Sequence, residues 1–198
     1  MGNFWLLWRQ ILRHPRELGT VAPSSRWLAK GLIKASELSE ELVIVEVGAG
    51  TGPLTHWIRA AAPKAQFFTM EPNTDMAMAL RERFLGLDVC EQKVEALPQA
   101  LAKRGYKKAN RILSSIPWSI FPLKDMFHSI DAICESLSDD GYFVTLVYIH
   151  SKHFPSSIKF KELLEEKFKY VEYSKPIWRN IPPGHWLVCR YPIRQPIE

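Results

Sequence analysis

From residue 42 onward the chain alternates short apolar runs with longer amphipathic stretches. The run 42–47 shows no alternation of apolar and polar positions, as expected of a strand covered on both faces of a parallel sheet. The same pattern predicts strands over 42–47, 65–70, 87–90, 111–116 and 142–149. Helices are predicted over 53–62, 73–84, 95–103, 123–137 and 157–167. Such alternation points to an α/β fold, a parallel sheet with helices on both faces. Two final strands, 168–175 and 185–191, are joined by a loop that allows an antiparallel edge hairpin.

The first 36 residues differ in character. Residues 3–14 read as a helix capped by Asn3, with Phe4, Trp5, Trp8, Ile11 and Leu12 on one face. Gln10, Arg13 and His14 lie opposite, and Pro15 ends the helix. Twelve residues reach only ~18 Å, too short to cross a bilayer. Tryptophans beside arginines suit a helix lying in an anionic membrane surface. The plainer alternative is a helix packed on the domain's own core. The stretch 19–25 is a turn leading into a second helix over 25–34, either a lid over a ligand or a simple connection.

Charge sharpens this division. The net charge is +5, and residues 1–36 hold six cations against Glu17 alone, so the remaining 162 residues balance to zero. A basic leader on a neutral body suggests an anionic partner met at one place. The 198 residues suit one domain with a substantial core. Cys90, Cys134 and Cys189 show no paired spacing, which argues for a reducing compartment and against a zinc site or disulfide framework. No metal is expected. There is no apolar run of about 18 residues, and the N-terminus lacks the long apolar centre of a signal peptide. Gly2 does not complete a myristoylation signal, because Leu6 stands where Ser or Thr is needed.

Candidate chemistry centres on Glu46-Val47-Gly48-Ala49-Gly50-Thr51-Gly52-Pro53. A strand ends in an acid, a glycine turn follows, and a helix begins. Such a turn lets a ligand lie against bare main chain near free helix N–H groups. Pro53 replaces the third glycine of the dinucleotide fingerprint. The placement of Glu46 instead fits the S-adenosylmethionine version. Glu71, 19 residues beyond Gly52, ends the second strand, where a carboxylate can accept both ribose hydroxyls of an adenosine. An ordinary turn with a surface glutamate is the alternative.

Strands four and five end at Ser114-Ser115-Ile116-Pro117-Trp118 and at Tyr148-Ile149-His150. Amine methyltransferases carry Asn/Asp-Pro-Pro-Tyr or Asn-Leu-Pro-Tyr at the first of these places. There an acceptor orients the amine and an aromatic face meets the growing positive charge. Here Ser114, Ser115 or the Ile116 carbonyl would orient the amine and Trp118 would supply the face. A structural turn with a core tryptophan is the alternative. Tyr148 is the preferred residue to orient or deprotonate the amine, with His150 second. In the loop 176–186, Trp178, Arg179 and Asn180 are candidate substrate-binding residues: Arg179 can fork onto phosphate and Trp178 can stack on a methylated ammonium. A rigid hairpin with buried aromatics is the alternative there.

With these residues in view, the chain resembles the bacterial phospholipid N-methyltransferase family of class I methyltransferases. The resemblance covers nearly the whole chain. It rests on Gly19-Thr20-Val21-Ala22-Pro23-Ser24-Ser25, Val45-Glu46-Val47-Gly48-Ala49-Gly50-Thr51-Gly52, Glu71-Pro72-Asn73 and Trp178-Arg179-Asn180-Ile181-Pro182-Pro183. It implies a Rossmann-like seven-stranded sheet with an antiparallel edge hairpin, preceded by N-terminal amphipathic helices. Residues 1–36 would form the docking and lid segment and 37–198 the methyltransferase domain. It implies S-adenosylmethionine held by Glu46, Gly48, Ala49, Gly50, Gly52, Glu71, Pro72, Val94 and Ser115. It also implies an anionic membrane surface met through residues 3–14 on the cytoplasmic side, and a phospholipid amine as substrate. Two positions depart from the family pattern. Gln92-Lys93-Val94 replaces Gly-Asp-Ala, so an acidic acceptor for the adenine amino group is missing and main chain near Val94 would serve. Ser115-Ile116-Pro117-Trp118 replaces a Gly-Leu-Pro stretch. The competing readings are an RNA adenine methyltransferase, opposed by the missing asparagine, and a non-catalytic cofactor-binding protein.

Overall fold

The computed structural model of the chain describes residues 26–194. The expected helix 3–14 and the turn 19–25 lie outside the described residues. The first described element is helix α1 (Arg26–Ser36), followed by β1 (Val43–Val47), α2 (Thr55–Ala61), β2 (Gln66–Met70), α3 (Thr74–Arg83) and β3 (Asp88–Cys90). Then come α4 (Leu97–Ala102), β4 (Ala109–Ser114), α5 (Leu123–Ser136), β5 (Leu137–Tyr148), α6 (Pro155–Lys167), β6 (Phe168–Tyr173) and β7 (Gly184–Pro192).

The strands form one seven-stranded sheet in the order β3-β2-β1-β4-β5-β7-β6. β1 to β5 pair in parallel, and β7 runs antiparallel to both β5 and β6. The expected closing hairpin is present. Its second strand inserts beside β5 and leaves β6 at the edge. Chain order reverses between β1 and β4, so a crevice opens there beyond the carboxyl ends of the strands.

The unalternating apolar runs have a direct explanation in the core. Successive strand residues point to opposite faces, and both faces are covered. Ile44, Leu113, Val144 and Trp186 pack with α1 and α2. Val45, Ile112, Phe143 and Leu187 pack with α4, α5 and α6. α3 joins the first layer through Ala77 and Leu80, with Phe67 shared between the clusters. The boundary drawn after residue 36 from charge is not a packing boundary. Leu28, Ala29 and Leu32 of α1 are buried, and the Trp186 indole donates to the Leu28 carbonyl at 2.9 Å.

Two strands begin two or more residues before their expected starts. β4 starts and ends two residues early, because the chain turns out of the sheet after Ser114, whose hydroxyl accepts the Ile116 N–H at 3.2 Å. β5 begins at Leu137 rather than 142. Ser138-Asp139-Asp140-Gly141 reads as a turn by composition. Buried Leu137 nevertheless pairs with Ala109, and the register shifts across the polar stretch before Tyr142 pairs with Arg111.

Candidate functional site

The glycine turn sits at the crevice between β1 and β4. Gly48, Gly50 and Gly52 all adopt positive φ, at 72°, 57° and 80°. A Cβ on Gly48 would lie 2.5 Å from Ile116 Cγ1, so a side chain there would collide with the β4 turn as well as strain the backbone. The Ser115 hydroxyl donates to the Gly48 carbonyl at 2.9 Å, which ties the β4 turn to the glycine turn.

Two buried acids flank this turn. Glu71 stands at the tip of β2, where Oε2 accepts the Gly50 N–H at 2.9 Å and Oε1 accepts the Asn73 N–H at 3.0 Å. Burial raises its pKa, and the two N–H bonds oppose the rise. Asn73 in turn caps α3 by accepting the Met76 N–H. Pro72 and the Glu71 carboxylate are thereby held in a turn anchored by a helix start. Glu46, in β1, accepts the Thr55 hydroxyl at 2.6 Å on Oε2, while its buried Oε1 has no hydrogen-bond partner among the described residues. Burial pushes the Glu46 carboxyl up to about 7, opposed by the Thr55 hydrogen bond and reinforced by the Glu71 charge.

Two clefts meet at Ile116. One runs past Gly48, Met70, Pro72, Gln92, Lys93 and Val94 towards Asp125. Lys93 and Val94, which the resemblance would set beside an adenine, both line this cleft. A carboxylate also reaches this cleft from the first turn of α5: Asp125, which the sequence analysis did not single out. Its position just past β4, at the carboxyl end of the sheet, was the available signal.

The second cleft is lined by Ser115, Pro117, Trp118, Tyr148, Ser151 and Ser157, with Leu146, Val147 and Phe160 beneath. Among the described residues no carboxylate or lysine lines it. Trp118 is only 2% exposed; its ring stacks on Phe160 at 4.9 Å and its indole donates to Thr145. It lies in the floor of the cleft and offers no open aromatic face. The Ile116 carbonyl accepts the Trp118 N–H at 3.0 Å. Tyr148 is half-buried beside His150, and burial raises its hydroxyl pKa, so it is protonated at neutral pH.

The residues of loop 176–183 are placed differently. Trp178 is 69% exposed, and Arg179 lies over the Trp27 ring at 4.5 Å. Neither lines either of the two clefts. Asn180 is buried, donating its amide to the Pro182 carbonyl at 2.6 Å and its N–H to the Ile177 carbonyl. Its side chain builds the loop.

The sheet order and the glycine turn define the class I methyltransferase fold, and the solved structures agree. A precorrin-6y C5,15-methyltransferase from Geobacter metallireducens superposes with a TM-score of 0.63 at 14% identity, over 84% of this chain and 88% of that one. A magnesium protoporphyrin IX methyltransferase from Synechocystis, solved with bound S-adenosylmethionine, gives a TM-score of 0.59 at 11% identity, over 96% and 85%. Among curated proteins, the chain is similar to an ornithine lipid N-methyltransferase of Singulisphaera acidiphila, 27% identical over 96% of this chain and 97% of that protein. A ribosomal RNA small subunit methyltransferase A of Thermotoga maritima is 32% identical over 55% of this chain but only 37% of its own length. No family model matches the chain. By fold and by full-length likeness it is a methyltransferase, and the fold and these relatives imply S-adenosylmethionine as cofactor. The residues present fit that group: a glycine cradle that a Cβ would fill, a buried carboxylate at the β2 tip, and an orphaned Glu46 oxygen beside them.

Proposed function

We propose that the chain is an N-methyltransferase acting on the primary amine of a phospholipid headgroup, converting phosphatidylethanolamine towards phosphatidylcholine at the inner face of a membrane. The full-length likeness to a lipid N-methyltransferase carries this reading. An ornithine-headed lipid is the second reading, favoured by that relative's own name. The RNA reading is weaker, because that likeness stops well short of the RNA enzyme's length and Ser115 stands where an asparagine would be wanted.

Gly48, Ala49, Gly50, Gly52, Glu71, Pro72 and Val94 would hold the cofactor, with Glu46 and Ser115 behind the turn. Bound there, the cofactor supplies an electrophilic methyl group. The chain's own residues then do three things. Ser115 and Tyr148 orient the amine in the second cleft with neutral hydroxyls. Leu146, Val147, Trp118 and Phe160 keep its floor dry, which strengthens each polar contact. Positioning supplies most of the rate, since among the described residues no carboxylate, lysine or histidine lines the cleft. The amine loses its proton to solvent before attack. Residues 3–14 supply a contact with anionic lipid.

The test is labelled-methyl transfer to a total lipid extract, with the full chain and with a chain lacking residues 1–16. Label is expected in an aminophospholipid, with loss on truncation while cofactor binding persists. Label in an ornithine lipid would select the second reading. Label in RNA alone would overturn both.

A further inference from the structure

Seven of the twelve exposed large apolar side chains among the described residues collect at one end of the molecule. That end is the carboxyl edge of the sheet, where the clefts open. Leu123 and Phe127 lie in the first turns of α5, just past β4, with Ile120 in the short turn before them. Phe154 and Ile158 open α6, just past β5. The Ser156 hydroxyl donates to the Ser119 carbonyl, so these two groups form one flank of the cleft mouth.

Trp178 and Ile181 form the opposite flank, 69% and 80% exposed. Their loop is fixed at the same edge. Gly184 pairs with Tyr148, the last residue of β5, and the Ile149 N–H donates to the Pro183 carbonyl at 3.0 Å. Beside it the Trp27 ring gathers three cations: Arg26 at 5.0 Å, Lys30 at 5.6 Å and Arg179 at 4.5 Å. Among the described residues none of the three has a carboxylate within ion-pair distance. Three cations on one aromatic ring repel one another unless an anion sits among them. Apolar rings and aliphatic side chains beside cations form the chemistry of a bilayer interface.

We propose that this rim docks on a bilayer carrying anionic phospholipid. Trp178 and Ile181 enter the headgroup layer on one side of the cleft, and Leu123, Phe127, Phe154 and Ile158 enter on the other. Arg26, Lys30 and Arg179 take lipid phosphates. The inference rests on the proposed lipid substrate: an amine tethered to acyl chains reaches the cleft only if the cleft mouth lies on the membrane. It adds a second contact surface, formed by the folded domain, to the one expected in residues 3–14.

The experiment measures co-sedimentation of the full chain with phosphatidylethanolamine–phosphatidylglycerol vesicles, without methyl transfer. Ile181→Asp and the pair Phe127→Asp/Ile158→Asp are each expected to lower vesicle affinity at least tenfold. Leu85→Asp serves as control: Leu85 is 85% exposed but lies between α3 and β3, at the far end of the sheet. It is expected to bind vesicles as the wild type does, and all variants are expected to keep cofactor affinity, which reports the fold. Replacing phosphatidylglycerol by phosphatidylcholine, or raising salt, is expected to weaken wild-type binding. Rim variants that bind like the wild type would overturn the proposal. So would an equal loss in Leu85→Asp, or rim variants that instead dissolve a solution dimer. Docking without any lipid methylation would strike the proposed substrate and leave the rim standing. Lipid methylation with undiminished binding by rim variants would do the reverse.

Discussion

Glu46 is a buried carboxyl with one oxygen on Thr55 and the other without a partner among the described residues. Its pKa, raised to about 7 from 4.5, makes it a stability sensor. The folded chain binds this proton more tightly than the unfolded chain does. The associated stability is therefore fully present below about pH 4.5 and is lost as pH rises through 7. Its removal costs about 3 kcal/mol. The stability advantage of Glu46→Gln over the wild type is expected to grow by about 2–3 kcal/mol between pH 5 and pH 8 in urea unfolding. A pH-independent difference would refute this account. Tyr148 carries the other residue-scale prediction. A hydroxyl protonated at neutral pH orients an amine and does not deprotonate it. Tyr148→Phe is expected to slow methyl transfer by roughly 10²-fold with cofactor affinity intact; transfer at the wild-type rate would remove Tyr148 from the site. The identities of these side chains were legible before the structure, but their partners were not. Glu71 was readable as an acid at a strand tip, while its bonds to Gly50 and Asn73 depend on how β1 and β2 lie side by side.

The elements show where pattern reading works and where it slips. Most helices and strands fall within a few residues of their expected limits, because each carries its own apolar period. β5 slips because its polar start has no period to read and is held by a distant partner, Ala109. Trp118 slips in a similar way: an aromatic after proline was legible, but its burial by Phe160 comes from α6, which arrives more than 30 residues later. α1 gives the testable case. Charge grouped it with the leader, yet Leu32 is fully buried against the β7 side of the core. Leu32→Ala is expected to cost about 2–5 kcal/mol of global stability in denaturant unfolding. A cost below about 1 kcal/mol would mean that α1 is a peripheral attachment.

At the scale of the whole molecule, chemistry gathers at one edge. The glycine turn, both clefts and most of the exposed apolar side chains share the carboxyl end of the sheet. A soluble substrate would place no such demand on the rim, whereas a bilayer-bound one requires the mouth of the cleft to face lipid; the vesicle experiment decides between them. The sequence alone determined the parallel α/β architecture, the glycine turn and the acids beside it. Those features are local: they follow from periodicity within a strand or helix and from fixed spacing along the chain. Only the tertiary structure decided that Arg26 and Lys30 share Trp27 with Arg179, that α5 and α6 bring their first turns to one flank, and that Asp125 enters the cofactor-side cleft. These neighbours lie tens to more than a hundred residues apart. They meet because sheet order and register set β4, β5 and β7 side by side, and no local pattern in the chain encodes that distance.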